Sequence, residues 1–139
     1  IIFSLTFYMG LSKTINYYPK KVNTIDQLMK SHSLQFGVAT YWDAKHTMMF
    51  SKKKLRTYTC YPEMTPWYHA MNEEWFYISP YTKDSVNFTF VIIQDDAHEK
   101  FFRETLKEPL EILDSNGVRI FITKPFRYSK KNWLPYYID

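Results

Sequence analysis

The chain has 139 residues, 45% of them hydrophobic, 19% aromatic and 23% charged, with a formal net charge of +4. That is one domain's length with enough apolar side chains for a core, which excludes a disordered or low-complexity chain. One cysteine, Cys60, excludes an intrachain disulfide, and three glycines leave no room for a glycine-rich phosphate loop.

Residues 1–11 carry no charge. They cover about half of the ~20 residues that a membrane crossing needs, and they lack the charged start and small-residue cleavage site of a signal peptide. Tyr8, Tyr17 and Tyr18 beside Lys20 and Lys21 have the composition of the belt where a helix leaves lipid. The expectation is the end of a membrane helix or an entry segment over 1–20, then a single soluble α/β domain over 21–139. An amphipathic entry helix and a buried first strand are the alternatives for the start.

Residues 24–34 predict a helix, with Thr24 as N-cap, Gln27 at capping-box spacing and Ile25, Leu28 and Met29 on one face. Residues 35–42 are apolar at nearly every position, as in a strand covered on both faces. Asp43 then caps a short helix over 44–50. A second strand is predicted over 55–61 and an irregular stretch with a turn of helix over 62–77. The clearest buried strand is 88–93. A helix follows over 97–106, capped by Asp95 or Asp96 and ended by Pro109. The runs 110–114 and 118–123 flank Asn116-Gly117, the strongest short hairpin signal. The tail, 124–139, has no clear period. Alternating helices and strands predict a three-layer, Rossmann-like α/β domain whose sheet is mostly parallel, with a C-terminal antiparallel hairpin.

Basic residues gather at Lys13, Lys20 and Lys21; at Lys45, Lys52, Lys53, Lys54 and Arg56; and at Lys124, Arg127, Lys130 and Lys131. Such groups attract phosphate on lipid or nucleic acid, and they also serve as plain solvated faces. No RNA-binding, helix-turn-helix or zinc-finger pattern accompanies them, so nucleic acid is disfavoured.

The candidate metal ligands, Asp43, His46, Cys60, His69, Asp95, Asp96 and His98, have no recognised ligand spacing, so no metal or cofactor is expected. Cys60 lies in a predicted strand, where a thiol is usually a small core residue, and His98 reads as a first-turn surface residue. Glu73 and Glu74 between Trp67 and Trp75 have the makings of a sugar site, in which rings stack on the sugar's C–H face while carboxylates hold hydroxyls. Aromatic residues at this density also build cores.

The run Phe36-Gly37-Val38-Ala39-Thr40-Tyr41-Trp42-Asp43-Ala44-Lys45, followed by Leu55-Arg56-Thr57-Tyr58, Trp67-Tyr68-His69-Ala70-Met71-Asn72 and Trp75-Phe76-Tyr77, resembles the C-terminal soluble domain of bacterial polytopic membrane proteins of the GT-C glycosyltransferase-like type, many of them uncharacterised. The resemblance spans about residues 24–124. It implies an extracytoplasmic, periplasmic domain after the last membrane helix, with the transferase's catalytic carboxylate outside this chain. No family catalytic residue carries over. Lys13, Lys20 and Lys21 depart from that picture, because cations beside a span favour the cytoplasmic side.

The expected function is therefore a non-catalytic, membrane-anchored domain of a glycosyltransferase-like protein that helps bind a saccharide or acceptor. Its contact residues are Tyr41, Trp42, Asp43, Trp67, Asn72 and Trp75, at predicted strand ends. Its partners are its own transmembrane region, the membrane surface and a glycan or lipid-linked sugar. Two alternatives are a free-standing hydrolase-type enzyme using Asp43, His46 and His69, and a structural protein-interaction module.

Overall fold

A computed structural model describes residues 17–138. The expected membrane-helix end thus lies outside the described residues, except for positions 17–20. The order of elements is α1 (Lys20–Leu28, extended by a 3-10 turn over Met29–Ser31), β1 (Phe36–Ala39), α2 (Tyr41–Phe50), β2 (Arg56–Thr59), two further 3-10 turns (Tyr68–Ala70 and Glu73–Phe76), β3 (Phe88–Ile93), α3 (Asp96–Leu106), β4 (Glu111–Ser115), β5 (Val118–Tyr128) and β6 (Pro135–Tyr137). No helix among the described residues is long and apolar enough to cross a membrane.

The fold is α/β, but the expected Rossmann-like, mostly parallel sheet is corrected. The strand order is β2-β1-β3-β5-β4, and only the β2-β1-β3 pairings are parallel. The hairpin is not appended at an edge. Its second strand, β5, lies antiparallel between β3 and β4, and its far end also pairs with β6. The cause is composition. Ile120, Phe121 and Ile122 of β5 are buried on both faces, whereas β4 carries Glu111 and Asp114 and is largely exposed. An apolar strand has to take the interior position and a polar one the edge. Arg119 of β5 fixes the hairpin to α3 by pairing with Glu99, and it also pairs with Asp114 on β4 at 3.0 Å.

Successive strand residues point to opposite faces, so two cores form. One holds Ala39, Phe90, Ile92 and Ile120 with Ile25 of α1, Met29 just past its end and Ala44 of α2. The other holds Val38, Val91 and Phe121 with Phe102 and Leu106 of α3, and extends into an aromatic cluster of Tyr58, Phe76, Phe88, Phe126 and Tyr128. At Gly37 the ring of Phe90 lies where a side chain would begin: a Cβ there would sit 2.2 Å from Phe90 Cε2. Phe90 is fully buried and cannot swing away. Gly37→Ala is expected to cost about 2 kcal/mol through overpacking, read as a shift in the denaturant midpoint at constant slope. A midpoint unchanged from the parent would show that Phe90 has room to move.

Several local expectations also change. The first helix starts four residues earlier, after Pro19, whose fixed φ of −56° suits a helix start. Thr24 is therefore inside α1, bonding back to the Lys20 carbonyl at 3.2 Å, and Gln27 reaches Asn23 instead of closing a capping box. The strand expected over 35–42 ends at Ala39, and Tyr41 opens α2, so Asp43 sits in that helix's first turn and does not cap it. Asp95 caps α3 by accepting the His98 N–H at 2.9 Å, as expected, but His98 itself is fully buried. The Asn116-Gly117 turn has both residues at positive φ, 51° and 73°, as a two-residue hairpin of this hand requires.

Candidate functional site

The carboxyl ends of β1 and β2 bring together most of the aromatic side chains that the sequence singles out. After Ala39, Thr40 stays extended and its carbonyl accepts the Ala44 N–H at 2.9 Å, which starts α2. Tyr41 and Trp42 are therefore held on the first turn of a helix, directly above the strand end. After Thr59, the chain makes a short loop closed by a Cys60–Pro66 bridge and by the Tyr61 N–H donating to the Thr65 carbonyl at 2.8 Å. Met64 anchors this loop from the inside: it is fully buried, with φ at +66°. A non-glycine residue in that region carries strain of order 1 kcal/mol or more, which its apolar burial offsets.

The loop sets Tyr61 and Trp67 face to face, with ring centroids 4.8 Å apart and planes 18° from parallel. Trp67 then meets Tyr41 at 5.3 Å, and Tyr41 meets Trp42 edge-on at 5.0 Å. Four rings thus form a continuous shelf. Trp42 is 68% exposed, and Tyr41, Tyr61 and Trp67 are half-buried. Lys45 stiffens the shelf by donating to the Ala70 carbonyl at 2.7 Å, with its ammonium 5.8 Å from the Tyr41 ring centre.

The other expected contact residues do not join the shelf. Asp43 is buried and held by Lys21, whose ammonium lies 2.6 and 2.7 Å from its two oxygens, so that carboxylate is committed to tying α1 to α2. Asn72 caps the Glu73–Phe76 3-10 turn by accepting the Glu74 N–H at 2.9 Å. Trp75 is half-buried against the aromatic core, and Glu73 and Glu74 are exposed on that turn. Tyr61 is the shelf residue that sequence reasoning missed. The signal was present in Tyr61 and Trp67 flanking a loop with Pro62 and Pro66, since prolines at both ends return the chain on itself.

The chemistry of the remaining candidates is equally specific. His46 is exposed, between the rings of Trp42 at 5.8 Å and Phe50 at 6.4 Å, and His69 is exposed on the Tyr68–Ala70 3-10 turn. Among the described residues no hydrogen bond joins Asp43, His46 and His69. Burial, with a smaller contribution from Glu63, pushes the Cys60 thiol up to about 12, which leaves almost no thiolate at neutral pH. Burial holds His98 below its ordinary value against the opposing pull of Asp95, Asp43 and Glu63, and its Nδ1 accepts the Gln94 N–H at 3.3 Å. Among the described residues no group of three or more His, Cys, Asp and Glu is arranged to hold a metal ion.

A separate cleft of about 970 Å³ lies between the end of β5, the start of β6 and the last turns of α3. Arg127, Lys130 and Lys131 line it, three of the four residues of the third basic cluster of the sequence, and it shares no residue with the shelf. Arg127 is held by Asn87 at 2.7 Å, and Lys130 lies over the Tyr77 ring at 4.9 Å.

Comparison of the chain with family models, with curated proteins and with solved structures finds no match.

Proposed function

We propose that this chain is a non-catalytic domain of a membrane-anchored, glycosyltransferase-like protein, and that its aromatic shelf holds a saccharide or the sugar acceptor. The observation that carries the reading is the shelf itself: Trp42, Tyr41, Trp67 and Tyr61 in unbroken contact at the carboxyl ends of two parallel strands. That end of an open α/β sheet is where ligands bind. Aromatic faces carry partial negative charge and attract the C–H face of a pyranose, while phenol and indole edges carry hydrogen-bonding groups for its hydroxyls. The commitment of Asp43 to Lys21 weighs against a hydrolytic centre built on Asp43, His46 and His69, because the carboxylate is already occupied. In this reading the domain faces the extracytoplasmic side and the catalytic groups belong to another part of the protein.

The test is saccharide titration followed by tryptophan fluorescence, with ligands first chosen by glycan screening. Trp67→Ala removes the central ring and is expected to weaken binding by about tenfold, the equivalent of one stacking contact of ~1.4 kcal/mol. Asn72→Ala, away from the shelf, is expected to bind as the parent does. An empty glycan screen, or equal binding by Trp67→Ala and the parent, would sink the saccharide reading.

A further inference from the structure

A helix lying on a sheet normally turns its apolar residues inward and its charges to water. The outward side of α2 departs from that rule. Asp43, Ala44 and Thr47 face inward and are buried, while Trp42, His46 and Met49 face outward. Trp42 is 68% and Met49 71% exposed. These outward residues sit at i, i+4 and i+7, so they form one stripe along the helix.

The stripe continues beyond the helix in both composition and contact. His46 lies between the rings of Trp42 and Phe50, and Phe50 meets Tyr17 edge-on at 5.4 Å. Tyr17, 61% exposed, is the first described residue, and the stretch of sequence leading to it includes the uncharged run over 1–11. At the same end of α2 the turn after Ser51 presents Lys52, Lys53 and Lys54, all exposed. Lys52 lies over the ring of Tyr18 at 4.4 Å. An exposed tryptophan and methionine along α2, an exposed tyrosine against its end and three exposed lysines in the turn that follows match the chemistry of a bilayer interface: rings at headgroup depth, an apolar side chain beneath them and ammonium groups on phosphates.

We infer that the outward face of α2, from Trp42 through Met49 to the Lys52–Lys53–Lys54 turn, docks flat on an anionic lipid surface. The occupant is the headgroup layer of a bilayer carrying acidic phospholipid. Charge complementarity between the three lysines and acidic headgroups selects it, together with the exposed Trp42 and Met49 beside them. The inference rests on the membrane half of the proposed function and adds an orientation to it. With α2 against the bilayer, Trp42 stands at the border between lipid and shelf, and Tyr61 and Trp67 open beside the headgroups, where the sugar of a lipid-linked ligand would be presented.

The test uses the full chain with vesicles of phosphatidylcholine alone or doped with phosphatidylglycerol. Cys60 is fully buried, so a nitroxide attaches to an introduced thiol. Met49→Cys places the label at the centre of the face. Lys100→Cys places it on α3, which packs on the sheet face opposite Ala44. On doped vesicles the label at position 49 is expected to become accessible to oxygen and shielded from a water-soluble relaxant, while the label at position 100 stays in water. Changing Lys52, Lys53 and Lys54 together to Gln is expected to weaken partitioning onto doped vesicles by about a hundredfold, from about fivefold per cation. Position 49 staying in water while the chain is vesicle-bound would overturn the inference, since binding would then run through residues outside this face. Equal insertion on both vesicle types would overturn its anionic component. Immobilisation without lipid, together with a dimer in sedimentation, would assign the face to a second copy of the chain. A lipid-inserted label in a protein that binds no saccharide would leave this inference standing and remove the saccharide reading alone.

Discussion

Phe76→Ala is expected to remove about 3–5 kcal/mol of stability, the usual cost of deleting a fully buried phenyl ring and leaving its cavity. Phe76 is the last residue of a 3-10 turn, not part of a strand or long helix. Its ring nevertheless lies among four others: Tyr58 of β2 at 5.5 Å, Tyr128 of β5 at 5.6 Å, Tyr68 at 5.7 Å and Phe88 of β3 at 6.2 Å. Three of these partners come from strands and one from the preceding 3-10 turn. Phe76 is therefore the side chain through which the irregular stretch between β2 and β3 enters the core. That stretch also carries Tyr61 and Trp67, so the same substitution is expected to loosen the shelf. The measurement is a denaturant titration followed in parallel by backbone and aromatic circular dichroism. Phe76→Leu, which refills much of the volume, is expected to recover more than half of the loss. A loss below about 1 kcal/mol for Phe76→Ala would mean that the stretch between β2 and β3 melts separately from the sheet, because the cost of a cavity falls only where the site can collapse.

The parts of the fold that were legible in sequence are those governed by local chemistry. Phe88–Ile93 is six consecutive residues with strong strand preference, and it forms the strand it predicts. Asn116-Gly117 adopts the two positive φ values that it is chemically suited to adopt, and Asp95 caps the helix it precedes. What depended on non-local pairing was not legible. Helix and strand alternation implies crossovers, but it does not say that β3–α3–β4 leaves a gap for β5 to enter. The contrast between Glu111 and Asp114 in one strand and Ile120, Phe121 and Ile122 in the other was the available clue.

The site shows the same division. Tyr41 and Trp42 favour strands by propensity, yet they open a helix, because the chain turns at Thr40 and the Asp43–Lys21 pair holds the new direction. Placing the contact residues at strand ends drew Tyr41, Trp42 and Trp67 together. Asn72 and Trp75, expected at strand ends with them, instead cap and form the Glu73–Phe76 3-10 turn, which directs them elsewhere. His98 looks like a surface residue when only its helix is considered. Its burial follows from the helix starting directly off a strand that is itself covered on both faces.

Asp26→Ala is expected to lower stability by about 3 kcal/mol, or the melting temperature by roughly 10 °C for a domain of this size. The carboxylate of Asp26 is buried in α1 and accepts three hydrogen bonds: from Tyr18 Oη at 2.7 Å, from Ser51 Oγ at 2.6 Å and from the Lys52 N–H at 2.7 Å. One side chain thus joins the entry segment, the first helix and the turn that carries the lysines. Hydrogen bonds to a charged acceptor contribute about 1.5–3 kcal/mol each. The sum is discounted here because the tyrosine and serine hydroxyls can turn to water once released, whereas the backbone N–H of Lys52 has less freedom to do so. Asp26→Asn keeps the shape and one oxygen, and it is expected to lose about half as much. The substitution also separates stability from docking. Without Asp26 the hydrogen bonds that tie Tyr18 and the Ser51–Lys52 turn to α1 are gone and the Lys52–Tyr18 ring contact is left, so amide exchange at Lys52 and Leu55 is expected to quicken well below the melting temperature. Partitioning onto phosphatidylglycerol vesicles should weaken even though all three lysines remain, because cations on a loosened turn bind at an added entropic cost. Unchanged exchange at Lys52 and an unchanged melting temperature would show that the three hydrogen bonds do not hold this face together, and that its lysines act as independent charges.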